Sequence, residues 1–169
     1  NLDKMPNFKK WTENNQDKLI KYLVSDGNLY SLPNIGGGIT NARFWFYRDD
    51  VFKKYNLTVP KTPDELYNVL RVLKDNNPES YPLNYREFPN LCPSWYTYSG
   101  VYYDENENVF KFGPIEDNYK ELIIFLRKLY EEGLIPPDIY SMDSKAWTDM
   151  MVQGKTFITF DYIGRIGGL

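Results

Sequence analysis

Apolar residues along this chain recur with two different spacings, and the stretches that carry them alternate. Leu66, Val69, Leu70 and Leu73 stand at i, i+3, i+4 and i+7, one apolar stripe on a helix predicted over Pro60 to Asn77. Its start is marked by Thr62, which can cap the backbone near Glu65, by Glu65, which can reach back, and by Pro63 at the first helical position, where a missing N–H is harmless. A second stripe of Ile115, Tyr119, Leu122, Ile123, Leu126, Leu129 and Tyr130 predicts the longest helix, Ile115 to Glu132, with Gly133 as its terminator. Asp143 or Ser144 opens a third around Ala146, Trp147, Met150 and Met151, stopped at Gly154. At the start, Phe8, Trp11, Leu19, Ile20 and Leu23 predict two short helical pieces between Asn1 and Tyr22.

Strand patterns lie between these helices. Thr156 to Phe160 is almost continuously apolar, the mark of a central strand covered on both faces. Arg43 to Arg48 is strongly β-prone, and a helix opens at Asp49 and Asp50. Tyr81 to Tyr85 reads as a strand whose proline favours its start or an edge. Val101 to Tyr103 and Val109 to Phe112 read as a hairpin around Asp104 to Asn108, preceded by a short helix from about Pro89 to Tyr98. Strands alternating with helices predict an α/β architecture.

Glycine punctuates one region heavily. Ser25 to Asn28 is a turn signal, Leu29 to Pro33 a short strand, and Asn34 to Asn41 a loop containing Gly36, Gly37 and Gly38. Strand, pliable loop, strand and acid-capped helix is the order that a hinge between two lobes needs. The glycine loop is no phosphate loop, because the Gly-Lys-Ser/Thr ending is missing.

Composition then removes whole classes of chemistry. With 169 residues the chain can bury roughly two-thirds of its unfolded surface. It has no histidine and one cysteine, Cys92, which excludes His-based catalysis, an internal disulfide and a Cys-based zinc site within one chain. Twenty Lys and Arg scattered among twenty-three acids form no basic stripe, so nucleic acid is not an expected partner. Apolar runs fall far short of the ~20 residues of a membrane helix. Asp104, Asn106 and Asn108 alternate like the opening of a calcium loop, but Val109 and Ile115 stand where such a loop needs glycine and glutamate, so a solvated hairpin tip is expected.

Several ordered pieces carry a resemblance. Asp26 to Tyr30 with Leu32-Pro33, Phe46 to Leu57, Val59 to Leu66, Gly113-Pro114-Ile115, Leu129 to Ile135, and Gly154 to Phe157 through Asp161-Tyr162 together resemble the extracellular solute-binding proteins of bacterial ABC importers, in the lipoprotein branch associated with sugars and oligosaccharides. The resemblance implies a lobe of the type II periplasmic-binding-protein fold, with a mixed sheet flanked by helices. It also implies an oligosaccharide held between two lobes and handed to an ABC permease, by a monomer with no cofactor, anchored outside the cell through an upstream signal and lipid-bearing cysteine. Family members are much longer. On their plan, residues 1–33 are a tail of the first lobe and hinge approach, 34–160 the second lobe, and 161–169 the return crossover.

A sugar presents hydroxyls to planar hydrogen-bonding groups and C–H faces to aromatic rings. Trp45 and Tyr47 alternate with Phe44 and Phe46, and their polar tips suit a wet cleft, although all four could be core. Arg48 could grip a ligand oxygen or simply pair with Asp49 or Asp50. Trp95 and Tyr98 would share one helical face, as stacking platforms or as core, whereas Trp147 among methionines reads as core. Asp161 and Tyr162 directly follow the central-type strand, where ligands of open α/β sheets collect, with Arg165 nearby; a structural carboxylate is the alternative. Two rival classes stay open, a carbohydrate-active enzyme built on two carboxylates and a protein-interaction module built on the aromatic cluster.

Overall fold

The structure, a computed structural model, describes residues 4–33 and 42–168. The triple glycine Gly36, Gly37 and Gly38 lies outside the described residues. The chain divides into two compact units, Asn1–Thr40 and Asn41–Leu169.

The first unit holds helix α1 (Pro6–Glu13) and the short α2 (Gln16–Leu19), which runs into a 3-10 turn at Ile20–Tyr22. Gly27, at a φ of 77°, makes the turn that follows, and Asp26 fixes it by accepting from the Asn28 amide at 2.9 Å and the Tyr30 hydroxyl at 2.7 Å. The strand expected over Leu29 to Pro33 does not form. A strand needs a ladder partner and a covered face, and here Tyr30 and Leu32 stand exposed with no strand pairing along the segment.

In the second unit, β1 (Arg43–Tyr47) leads into α3 (Asp49–Lys54) and then α4 (Pro63–Asn76). Thr62 caps α4 as expected, accepting from the Glu65 amide at 3.2 Å, while the Glu65 carboxylate reaches one residue beyond the cap, to the Lys61 amide. Next come β2 (Leu83–Tyr85), a 3-10 segment over Phe88–Trp95, the hairpin β3 (Val101–Asp104) and β4 (Val109–Phe112), α5 (Asp117–Glu131), α6 (Ser144–Val152, capped by Asp143) and β5 (Ile158–Tyr162).

The main sheet is mixed, in the order β1-β5-β2, with β5 antiparallel to β1 and parallel to β2. Thus the apolar strand is central, as its composition requires, and proline-led β2 is an edge. One face of the sheet, with Leu83, Tyr85, Ile158 and Phe160, packs into a core with Leu66, Leu70 and Leu73 of α4 and Leu122, Leu126 and Leu129 of α5. Burying each such leucine contributes about 1.5–3 kcal/mol. The α5 stripe is narrower than expected: Ile123 and Tyr130 flank it in solvent, and Ile115 precedes the helix, exposed. The other face carries Asn84, Thr159 and Asp161, with Trp147 of α6 buried against it and donating from Nε1 to Thr159 Oγ1 at 3.3 Å.

β5 runs two residues beyond the expected end at Phe160. Asp161 and Tyr162 are therefore strand residues, paired with Phe44 and Arg43, rather than the start of the following segment.

Candidate functional site

Parallel strands β2 and β5 deliver their carboxyl ends to the same end of the sheet, and antiparallel β1 brings its amino end there. Arg86, the residue after β2, lies beside Asp161 of β5 for this reason. Arg86 Nε donates to Asp161 Oδ2 at 2.7 Å and Nη2 to Oδ1 at 3.4 Å. Asp161 is 1% exposed, and its Oδ1 also accepts the Tyr162 amide at 2.7 Å. The Asp161 carboxylate raises the Arg86 pKa above its ordinary value, so the guanidinium stays charged although largely withdrawn from water.

Around this pair lie groups with capacity to spare. The Arg43 guanidinium lies 4.1 Å over the Tyr162 ring and donates to its hydroxyl, while Arg43 Nε has no hydrogen-bond partner among the described residues. Glu87 stands 4.0 Å from both Arg43 and Arg86, half exposed, and its Oε2 accepts from Asn90 Nδ2 at 2.9 Å. The Arg86 guanidinium lies 6.0 Å from the Trp147 ring, and Phe44, opposite Asp161 in register, is exposed. Two fixed guanidinium forks, a phenol, a carboxylate and an exposed ring form a polar and aromatic surface suited to hydroxyl-rich molecules. Among the described residues no group of three or more His, Cys, Asp or Glu could hold a metal ion.

A second concavity, of about 250 Å³, brings together three of the expected residues, Trp45, Tyr47 and Trp95, with Val59, Lys61 and Thr62. It lies at the Ile158 end of β5, and Trp45 pairs with Phe160 on the face opposite Asp161. Trp45 packs on Phe160 with ring centroids 5.1 Å apart, and Trp95 on Phe125 at 5.3 Å, so both line the concavity while packing against the core. Trp147 is core, as its methionine neighbourhood implied.

The remaining expected residues go elsewhere. Arg48 forks onto Asp50 at 2.8 and 2.6 Å, and this pairing holds the Asp50 carboxyl down at about 2. Tyr98 does not share a face with Trp95: the 3-10 segment ends at Trp95, Tyr96 turns left-handed at a φ of 54°, and Tyr98 stacks on Tyr102. Arg165 is exposed in a 3-10 segment, Ile163–Gly168, that follows β5. Sequence reasoning missed Arg43, Arg86 and Glu87. The strand-end rule that picked Asp161 also picks Arg86, one residue past the strand expected over Tyr81 to Tyr85.

Residues 3–168 match the family described as bacterial extracellular solute-binding protein. The lipoprotein LipO of Bacillus subtilis is 29% identical over 159 residues, covering 86% of this chain and 31% of its own length. The fructooligosaccharide ABC transporter substrate-binding protein FusA of Streptococcus pneumoniae is 28% identical over 180 residues, covering 90% of this chain and 32% of its own. Among solved structures, an HMO-binding, ABC-transporter-associated solute-binding protein from Bifidobacterium longum infantis superposes with a TM-score of 0.78 at 29% identity, covering 95% of this chain and 38% of that one. The chain thus spans about a third of the length of the curated relatives it matches. Its mixed sheet flanked by helices is a lobe of the type II periplasmic-binding-protein-like fold. The chain belongs to the bacterial extracellular solute-binding protein family.

Proposed function

We propose that the protein containing this chain binds an oligosaccharide outside the cell and delivers it to an ABC permease, without catalysis, and that this chain supplies one wall of the binding cleft. The observation that carries the reading is the set of guanidinium, phenol and carboxylate groups gathered at the carboxyl ends of β2 and β5 around the Arg86–Asp161 pair. In this reading Arg43, Tyr162 and Glu87 meet the sugar hydroxyls, Arg165 reaches the same end of the sheet, and Asp161 holds Arg86 in place. The likeness to proteins named for fructooligosaccharide and HMO binding supports oligosaccharide as the ligand class. Residues up to Pro33 belong to the first lobe in this reading. The second lobe follows the triple glycine, and the return crossover begins after β5. The likeness to a lipoprotein supports a lipid anchor. An enzymatic reading is weaker, because the buried carboxylate at the site is already committed to Arg86 and the Tyr162 amide.

Titration calorimetry of the full-length protein against an oligosaccharide panel tests this. At least one sugar should bind with micromolar or tighter affinity, and Arg43→Ala should weaken it at least tenfold, about 1.4 kcal/mol, without lowering the melting temperature. A folded protein that binds no member of the panel, or one that hydrolyses it, would overturn the proposal.

A further inference from the structure

The β3–β4 hairpin is amphipathic in an inverted sense. Register places Val101 opposite Phe112 and Tyr103 opposite Phe110, so these four side chains share one face, and all four are exposed. The alternate positions carry Tyr102, Lys111 and Asp104, which are half-buried and held by polar bonds, and Val109, which is exposed. Tyr102 donates to Glu116 at 2.8 Å, and Lys111 bridges Asp104 at 2.7 Å and Glu107 at 2.6 Å. Three of the four positions on that face are thus polar, and the four on the exposed face are apolar or aromatic. Slipping the register by one residue would reverse this, but both ends of the hairpin are pinned. At the tip, Asp104 Oδ1 accepts from the Asn106 and Glu107 amides and Asn108 turns left-handed; at the base, the Gly113 amide donates to the Gly100 carbonyl at 3.0 Å.

Beside the apolar face, Ile115 stands 81% exposed and Phe110 77%, and with Val101, Phe112, Lys111 and Glu116 they line an open groove of about 460 Å³. Contiguous apolar surface of this kind marks an interaction site. The charge around it selects the partner. Between Thr97 and Asp117 the chain has five carboxylates, Asp104, Glu105, Glu107, Glu116 and Asp117, and one cation, Lys111. An acidic rim repels an anionic lipid surface. A second copy docked two-fold on the same face would set acidic rim against acidic rim.

We infer that this face is a docking surface for a protein segment carrying apolar side chains flanked by lysine or arginine. Apolar side chains of that segment fill the groove between Phe110 and Ile115, its cations meet the rim, and the hairpin, which pairs with no further strand among the described residues, can take it alongside as an added strand.

The test is fluorescence anisotropy on the full-length protein with two labelled twelve-residue peptides, one alternating valine and lysine, the other alternating valine and glutamate. The basic peptide should bind at least tenfold tighter than the acidic one and lose affinity with added salt. Phe110→Ser and Ile115→Ser should each weaken it at least tenfold while leaving the melting temperature and any sugar affinity unchanged. Several results would overturn the inference: no binding, equal binding of both peptides, or binding that survives both substitutions. So would Phe110-dependent self-association, which assigns the face to a second copy, or Phe110-dependent sedimentation with phosphatidylglycerol vesicles, which assigns it to lipid. A large drop in melting temperature for both variants would also overturn it, because the face would then be covered within the full-length protein itself.

Discussion

Replacing Arg86 with methionine keeps most of the aliphatic stem and removes the guanidinium, which strands the carboxylate of Asp161. That carboxylate loses its donor at 2.7 Å on Oδ2 and keeps only the Tyr162 amide on Oδ1. Breaking a buried pair from one side costs about 3–5 kcal/mol, because an uncompensated charge is left in a poorly solvated place. The Arg86 side chain is 15% exposed and that of Asp161 2%, so water can approach only from the Arg86 side, which points to the lower end, about 3 kcal/mol. At roughly 2–4 °C per kcal/mol for a domain of this size, the melting temperature should fall by about 6–12 °C. Combining Arg86→Met with Asp161→Leu should recover most of the loss, since no charge is then stranded. Urea titration followed by near-UV circular dichroism reads this directly, because Trp147 lies 6.0 Å from the guanidinium. An Arg86→Met variant within about 1 kcal/mol of the parent, or a double variant no more stable than the single, would mean that Asp161 is solvated in the folded protein and anchors nothing.

Other consequences follow from particular contacts. Burial, with the Tyr140 phenol adding to it, pushes the Tyr85 phenol well above its ordinary value of 10.0. Its stabilising contribution is therefore complete below pH 10 and falls away at higher pH, where the unfolded chain ionises first; Tyr85→Phe should flatten the stability profile measured by urea titration between pH 9 and pH 11. A methyl group on Gly113 would sit 1.7 Å from the Tyr98 carbonyl oxygen, so Gly113→Ala should destabilise by about 3 kcal/mol or more in the same titration. Losing the Asp143 cap, which accepts from the Ala146 amide at 2.8 Å, should cost about 1 kcal/mol in Asp143→Ala, with thermal unfolding as the measurement.

What the sequence made legible is what short-range chemistry controls. The α4 cap, the stripe Leu66-Val69-Leu70-Leu73, the hairpin and the central placement of an all-apolar strand each follow from residues within a few positions of one another, and each is present. The end of β5 was not legible. Asp161 disfavours a strand by local propensity, and it stays in the ladder because Arg86 arrives from the adjacent strand with a compensating charge, a contact spanning seventy-five positions. Tyr98 was misplaced for a local reason of a different kind: spacing by three implies a shared face only while the helix continues, and one left-handed residue at Tyr96 breaks the phase. Leu29 to Pro33 had strand composition without a partner, and composition cannot supply one.

The same topology explains why the expected residues divide into two groups. A strand that holds Arg43 at one end and Tyr47 at the other must present them at opposite ends of the sheet, and β5, antiparallel to it, must set Tyr162 beside the first and Ile158 beside the second. One end therefore collects charge and hydrogen-bonding capacity, and the other collects tryptophan, proline and valine around an apolar hollow. Trp45, Tyr47 and Trp95 of the second group, expected as sugar platforms or as core, line that hollow. Register places the two groups differently: Trp45 shares its face with Phe160 and the core, and Asp161 shares the other face with Phe44 and Thr159, while Arg43 and Tyr162 lie on the Trp45 face at the end of the strands, beside Glu87 and Arg86, which keep some exposure. Fixed polar groups and solvent coexist at the carboxyl ends of β2 and β5, which is why we propose that end for a hydrated ligand.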